Sequence, residues 1–256
     1  MRDRIVDTAI QLADAEGIGA VSMRRIGTEL GVPTMSLYRW MPSKDDLTLH
    51  MLDATLGRME WPDRPPRGWR PQLEYAARGL WAITQAHPWL AQLVSITRPQ
   101  LAPNAMLHTE WSMRALSGLG LSGGETLRIS LTLVGFGIGT AVAMDNERQA
   151  HRDTGITSDE WMATQEAKAR AIFATGRYPV LASFAEDDDF DSELDTLFEA
   201  GLAIILDGIE RLIDKKAAAQ RSARPSRPPS RPRGAPVGSK PAAHAVAKVA
   251  TRRTAG

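Results

Sequence analysis

Apolar residues at the start of the chain recur with helical spacing. Ile5, Ala9, Leu12 and Ala13 follow an i, i+4, i+7, i+8 pattern, while Asp3, Asp7 and Asp14 fall off that stripe. This predicts an amphipathic helix over 2–16, ended by Gly17. A second helix opens at Ser22, a good N-cap residue, and carries Ile26 and Leu30 four apart on one face. Gly31 stands where a left-handed C-cap is needed, which glycine reaches without a Cβ penalty. Pro33, with its φ preset, suits the first turn of a short helix from Thr34 to about Trp40. On that helix Leu37 and Met41 point one way, and Thr34, Met35, Tyr38 and Arg39 point others. Ser43, with Asp46 three residues on, reads as a capping box for a helix through Leu47, Met51, Leu52 and Leu56 to about Arg58. The helix over 2–16 packs across the two that follow and closes a small three-helix core.

The run Trp61-Pro62-Asp63-Arg64-Pro65-Pro66-Arg67-Gly68 then breaks the pattern, because its three prolines cannot stay helical. It reads as a linker and hinge. Beyond it, helices are predicted near 69–86, 88–97, 103–118, 123–150, 158–175 and 192–214, with no sustained strand alternation. In 123–150, Leu127, Leu131, Val134, Ile138 and Val142 make one stripe, interrupted by Gly135, Gly137 and Gly139. Each glycine costs a helix roughly 0.5–1 kcal/mol against Ala, so something is expected to approach that backbone closely, a partner helix or a ligand. In 192–214, apolar residues from Leu194 to Ile213 cover more than one face, which predicts burial against the chain's own core and a second subunit. Ile205 and Ile209 are expected on the subunit-facing side. A central helix of a monomer is the alternative. The expected fold class is all-α: a small helical domain over 1–60, a larger helical domain over 68–214, and a basic tail over 215–256.

Two helices joined by a short glycine-containing turn form the helix-turn-helix pattern, whose second helix enters the DNA major groove. Taken alone the pattern is weak, since many helical proteins contain it. The flanking residues sharpen it. Arg4-Ile5-Val6-Asp7-Thr8-Ala9, Glu16-Gly17, Ser22-Met23-Arg24, Glu29-Leu30-Gly31-Val32, Ser36-Leu37-Tyr38 and Pro42-Ser43-Lys44-Asp45-Asp46-Leu47 together resemble the DNA-binding domain of the TetR (tetracycline repressor) family of transcriptional regulators. One departure is Pro33, where many relatives carry Ser as the recognition-helix cap. The resemblance implies that Arg24 reaches a base or phosphate and that Thr34, Met35 and Ser36 read base edges. It also implies that Tyr38 and Lys44 meet phosphates. Arg39 is either a contact or a solvated charge, and Trp40 either packs or touches the DNA backbone. Thr34 and Met35 suit apolar contact with thymine methyls. Gly68-Trp69-Arg70, His87-Pro88-Trp89-Leu90 and Gly120-Leu121-Ser122 resemble the C-terminal domain of one TetR subfamily, implying an all-helical ligand-binding and dimerisation domain.

Charge sharpens the division of the chain. The 256 residues hold 31 Lys or Arg and 30 Asp or Glu, but eleven of the basic residues and no acids lie in 215–256. The body is therefore acidic and the tail basic, rich in Pro, Ala and Ser, and expected to be a disordered arm that adds non-specific DNA affinity or simply solubilises. Residues 1–59 are themselves slightly acidic, with seven Lys or Arg against eight Asp or Glu. Cysteine is absent, which excludes disulfides and thiolate metal sites. No signal peptide and no run approaching a membrane span is expected, and the location expected is cytoplasmic. The acidic run Glu186-Asp187-Asp188-Asp189-Phe190-Asp191 lacks the glycine and terminal Glu of a calcium loop and is expected to be a solvated loop. No paired histidines, phosphate loop or nucleophile motif points to catalysis, and no cofactor or metal is expected. For a ligand pocket the candidates are His87, Asn104, His108, Trp111 and Met144. The function expected is a dimeric, ligand-responsive regulator bound to double-stranded operator DNA, most simply a repressor released by a small molecule. A helical-bundle enzyme or ligand carrier with a non-DNA-binding N-terminal module is the alternative.

Overall fold

The computed structural model describes residues 1–184 and 193–223, which form helices with no β-strand among the described residues. The acidic run 186–191 and residues 224–256 of the basic tail lie outside them. The helices are α1 (Arg2–Glu16), α2 (Met23–Leu30), α3 (Thr34–Leu37), α4 (Lys44–Leu56), α5 (Trp69–Ala86), α6 (Leu90–Leu93), α7 (Pro103–Ala115), α8 (Gly123–Thr154), α9 (Ser158–Phe173), α10 (Pro179–Phe184) and α11 (Leu194–Ala223). A single 3-10 turn, Ile18–Ala20, links α1 to α2.

The two largest boundary differences from expectation have local reasons. The helix expected over 88–97 shrinks to α6, because the chain turns extended at Val94 and the Arg98-Pro99 step disfavours helix at Arg98. The helix expected to end at 214 continues to Ala223, so residues 215–223 are ordered and not part of a disordered arm. Lys216 reaches back to Glu125 at 2.7 Å, and the Gln220 side-chain amide donates to the Gly120 carbonyl at 3.4 Å. The short α10 is an element that periodicity did not predict.

α1, α2 and α3 close a small core around Ile5, Ala9, Ile10, Ile26, Leu37 and Met41, all essentially solvent-free. The larger body is built from α5, α7, α8 and α11, which pack on one another, with α4 joining both halves by contacts to α1, α5, α6 and α7.

α8 corrects two expectations. It contains an 18-residue window of mean hydropathy 1.6, long and apolar enough to cross a membrane by length and composition, where no such run was foreseen. Its packing against α5, α6, α7 and α11 is that of a core helix, yet only 39 % of that window is buried within this chain. Its inward face coincides with the predicted stripe only at Ile138, with Val134 packed beside it. Thr126, Ile129, Ser130, Leu133, Gly137, Ile138 and Ala141 are buried, whereas Leu127 and Val142 are exposed. The close approach expected from a partner helix or ligand is met in neither form: a Cβ at Gly135 would lie 2.8 Å from Cδ1 of Ile96 on the segment after α6, Gly137 has only ordinary contact with Phe198 at 3.9 Å, and Gly139 has nothing within 4 Å among the described residues. On α11 the buried face is Phe198, Leu202, Leu206 and Ile209, stacked through Phe198 on Trp81 and Phe136. Ile209 therefore faces its own core, and the exposed apolar line on α11 is Leu197 and Ile204, the latter 71 % exposed.

Candidate nucleic-acid interface and effector cavity

The recognition element is assembled from local rules. The Ser22 hydroxyl accepts the Arg25 N–H at 3.2 Å and starts α2. Gly31 ends it at φ 67°, ψ 31°, with Val32 N–H donating to the Gly27 carbonyl at 2.9 Å. Gly27 lets α3 sit tightly against α2, since a Cβ there would lie 2.9 Å from the Val32 carbonyl oxygen and 3.3 Å from Thr34 Oγ1. Pro33 occupies the cap position of α3 instead of its first helical turn, with φ −59° and ψ 134°. Its carbonyl accepts both the N–H of Ser36 at 2.9 Å and the Ser36 hydroxyl at 2.7 Å. That hydroxyl proton is used within α3, so Ser36 faces a partner only as an acceptor.

Leu37 and Met41 point inward, and the remaining side chains point out. Met35 is 79 % exposed, Tyr38 42 % and Trp40 39 %. Thr34 is half-buried against α2. Arg39 lies 5.3 Å over the Trp40 ring, a cation–π contact that holds both on the same outer surface. Arg24 and Lys44 are exposed, Lys44 as the first residue of α4, whose cap Ser43 accepts the Asp46 N–H at 3.0 Å. Neither pairs with an acid among the described residues. Arg25, by contrast, is spent on Glu16 and Glu29, both at 2.9 Å. All eight predicted DNA-facing residues thus lie on α2, on α3 with the turn after it, or at the start of α4.

The predicted ligand residues scatter. An apolar cavity of about 100 Å³, open at its mouth, lies between α4, the segment after α6, α7 and α8. Its walls include Leu52 and Leu56 of α4, Leu80 of α5, Leu131 and Val134 of α8, and Val94, Ser95, Ile96, Pro99 and Gln100 of the connecting segment. Of the predicted residues only His108 lines it. His108 donates from Nε2 to the Ala76 carbonyl at 3.1 Å, and burial pushes its pKa down, so the ring is neutral with Nδ1 as a bare acceptor. Sequence reasoning missed Gln100, whose Oε1 is buried without a partner, and Thr109 on α7. The one signal was the Arg98-Pro99 step, which marks a loop where helix was expected.

His87 and Asn104 are struts between the two halves of the chain. Asp14 of α1 accepts from His87 Nδ1 at 2.7 Å and from Trp89 Nε1 at 2.6 Å. Arg58 donates to His87 Nε2 at 3.0 Å, so the ring is held from both sides. Asn104 donates its backbone N–H to Asp53 Oδ1 at 2.7 Å and its amide to the Asp53 carbonyl at 3.0 Å. Trp111 packs on Trp61 with centroids 4.7 Å apart and donates to the Gln72 carbonyl, which anchors the proline linker. Met144 is half-buried on α8, away from the cavity wall.

Residues 5–51 match the family described as bacterial regulatory proteins, tetR family, and residues 61–213 match the tetracyclin repressor-like C-terminal domain. The chain is 40% identical over 222 residues to the HTH-type transcriptional repressor DrrR1 of Streptomyces coeruleorubidus, covering 84% of this chain and 78% of that one. It superimposes on apo ActR of Streptomyces coelicolor with a TM-score of 0.70 and 30% identity, over 86% of this chain and 97% of that one. ActR in complex with actinorhodin gives a TM-score of 0.69 and 31% identity, over 83% and 98%. The capped helix pair with its outward Met35, Tyr38 and Lys44, joined to a helical body that encloses an apolar cavity, belongs to the TetR family of transcriptional regulators.

Proposed function

We propose that this protein is a homodimeric repressor that binds operator DNA through α3 and is released when a small molecule enters the cavity behind α4. The observation that carries this is the shared wall: Leu52 and Leu56 of α4 line the cavity, and the same helix presents Lys44 at its other end on the DNA-facing surface. A ligand that fits better when α4 is displaced lowers DNA affinity by its difference in affinity for the two shapes. The Asp14–His87–Trp89 clasp ties α1 to the segment leading into α6, so the same displacement reaches the small core from a second side. Support for the small-molecule arm comes from ActR, a relative solved in complex with actinorhodin.

In this scheme Thr34, Met35 and Ser36 read base edges, Arg24 reaches base or phosphate, and Tyr38, Arg39, Trp40 and Lys44 meet the backbone. The dimer forms along the exposed faces of α8 and α11, where Leu127, Val142, Leu197 and Ile204 leave apolar surface uncovered. A mobility-shift assay of the full chain on the DNA upstream of its own gene tests the proposal. A retarded complex, competed by the same duplex and not by random duplex, is expected. Equal competition by both would overturn operator recognition.

A further inference from the structure

The cavity wall restricts the chemistry of what fills it. Among the described residues no Lys, Arg, Asp or Glu lines it, and its surface is aliphatic apart from Ser95, Gln100, His108 and Thr109. Two of these four have already used their donors or acceptors locally. Thr109 donates its hydroxyl to the Ala105 carbonyl at 3.3 Å, and Ser95 Oγ accepts the Arg98 N–H at 3.0 Å. Each of the other two presents an acceptor without a proton to accept, Gln100 alongside its own amide N–H donors. Gln100 Oε1 is buried with no hydrogen-bond partner. His108 has committed its Nε2 proton to Ala76, and burial disfavours the charged ring, so Nδ1 offers only a lone pair.

A buried acceptor left unpaired is costly, and a ligand that supplies the proton recovers that cost. A ligand with a formal charge would instead be stripped of water with nothing to pair it. We infer that the effector is an uncharged, largely apolar molecule carrying at least one hydroxyl or N–H donor, which it gives to Gln100 Oε1 with His108 Nδ1 as the second acceptor. This rests on the cavity being the effector site. At about 100 Å³ the closed part of the cavity holds little more than one ring, so a two-ring ligand extends into its open mouth. Gln100 sits on the segment that follows α6, so the donor also pins the part of the chain that Ile96 anchors against Gly135 of α8.

The test measures binding to the full chain without DNA, by quenching of tryptophan fluorescence, for three probes of one shape: 1-naphthol, 1-methoxynaphthalene and 1-naphthoate. The alcohol is expected to bind about ten-fold or more tightly than the ether, which lacks the donor, and the carboxylate is expected to bind weakest. In Gln100→Met the alcohol and ether converge. Equal binding of alcohol and ether by the parent chain overturns the inference. So does tightest binding of the carboxylate, absence of binding by all three at millimolar concentration, or an unchanged preference in Gln100→Met. The same probes are then added to the operator complex. Donor-selective binding that leaves the operator occupied contradicts the proposed release and not the cavity chemistry.

Discussion

At the scale of single residues, DNA reading divides between side chains that choose and side chains that hold. Met35 is the most exposed apolar group of the recognition element and is short of hydrogen-bonding power, so in the proposed interface it is assigned to contact thymine methyls. Met35→Ala is expected to change which operator variant binds best, measured across a panel with single base-pair replacements. An unchanged ranking would remove it from base reading. Lys44→Ala is expected to weaken every operator variant alike and to reduce the slope of log K against log salt by about 0.9 per protomer, as one phosphate contact is lost. Gly27 carries a different load. Gly27→Ala pushes a methyl against the backbone oxygen of Val32, which cannot swing away, and thermal unfolding should show a loss of about 1–3 kcal/mol. These positions were legible in the sequence because caps, left-handed glycines and short turns are decided by neighbours a few residues away. His87 and Asn104 were not, since their partners Asp14 and Asp53 lie 73 and 51 positions distant and no periodicity reports them.

At the scale of elements, the joints between helices decide how the two halves communicate. Asp14→Ala strands the His87 and Trp89 donors in a half-buried site, at about 1–3 kcal/mol each. Adding Trp89→Phe removes one stranded N–H, so the double variant should recover part of the loss; a strictly additive cycle in thermal unfolding would contradict the clasp. The foot of α11 is held on the start of α8 by Lys216 and Glu125. The Lys216 ammonium and the capping box of Ser122 hold the Glu125 carboxyl at about 2, below its ordinary 4.5. A depressed pKa stabilises the folded state above pH 4.5 and the benefit is lost as pH falls through 2. Glu125→Gln should therefore lower the melting temperature at pH 6 and converge with the parent near pH 2. The buried face of α8 escaped sequence reasoning because that helix is apolar on most sides, so an i, i+4 stripe can be drawn along faces that are not the core. α6 was drawn too long for the reason that made the cavity invisible: the segment from Val94 to Gln100 is positioned by α7 and α8, not by its own spacing.

At the scale of the whole molecule, one chain presents one recognition helix, and in the proposed dimer a second copy on the uncovered apolar faces of α8 and α11 supplies the other. Ile204 points outward and Ile209 inward, so Ile204→Arg is expected to yield a folded monomer by light scattering while Ile209→Arg unfolds the body. An Ile204→Arg protein that remains dimeric would place the interface elsewhere. Two recognition helices related by a two-fold axis require a DNA site with the same symmetry, its half-sites one helical turn of roughly 10 base pairs apart or a multiple of it. The most direct measurement is selection of bound duplexes from a random pool by the full chain, followed by sequencing. Enrichment of an inverted repeat, lost in Ile204→Arg and altered in base preference by Met35→Ala, is the predicted result. Failure to enrich any sequence, or enrichment of a single unrepeated site that Met35→Ala leaves unchanged, would contradict it.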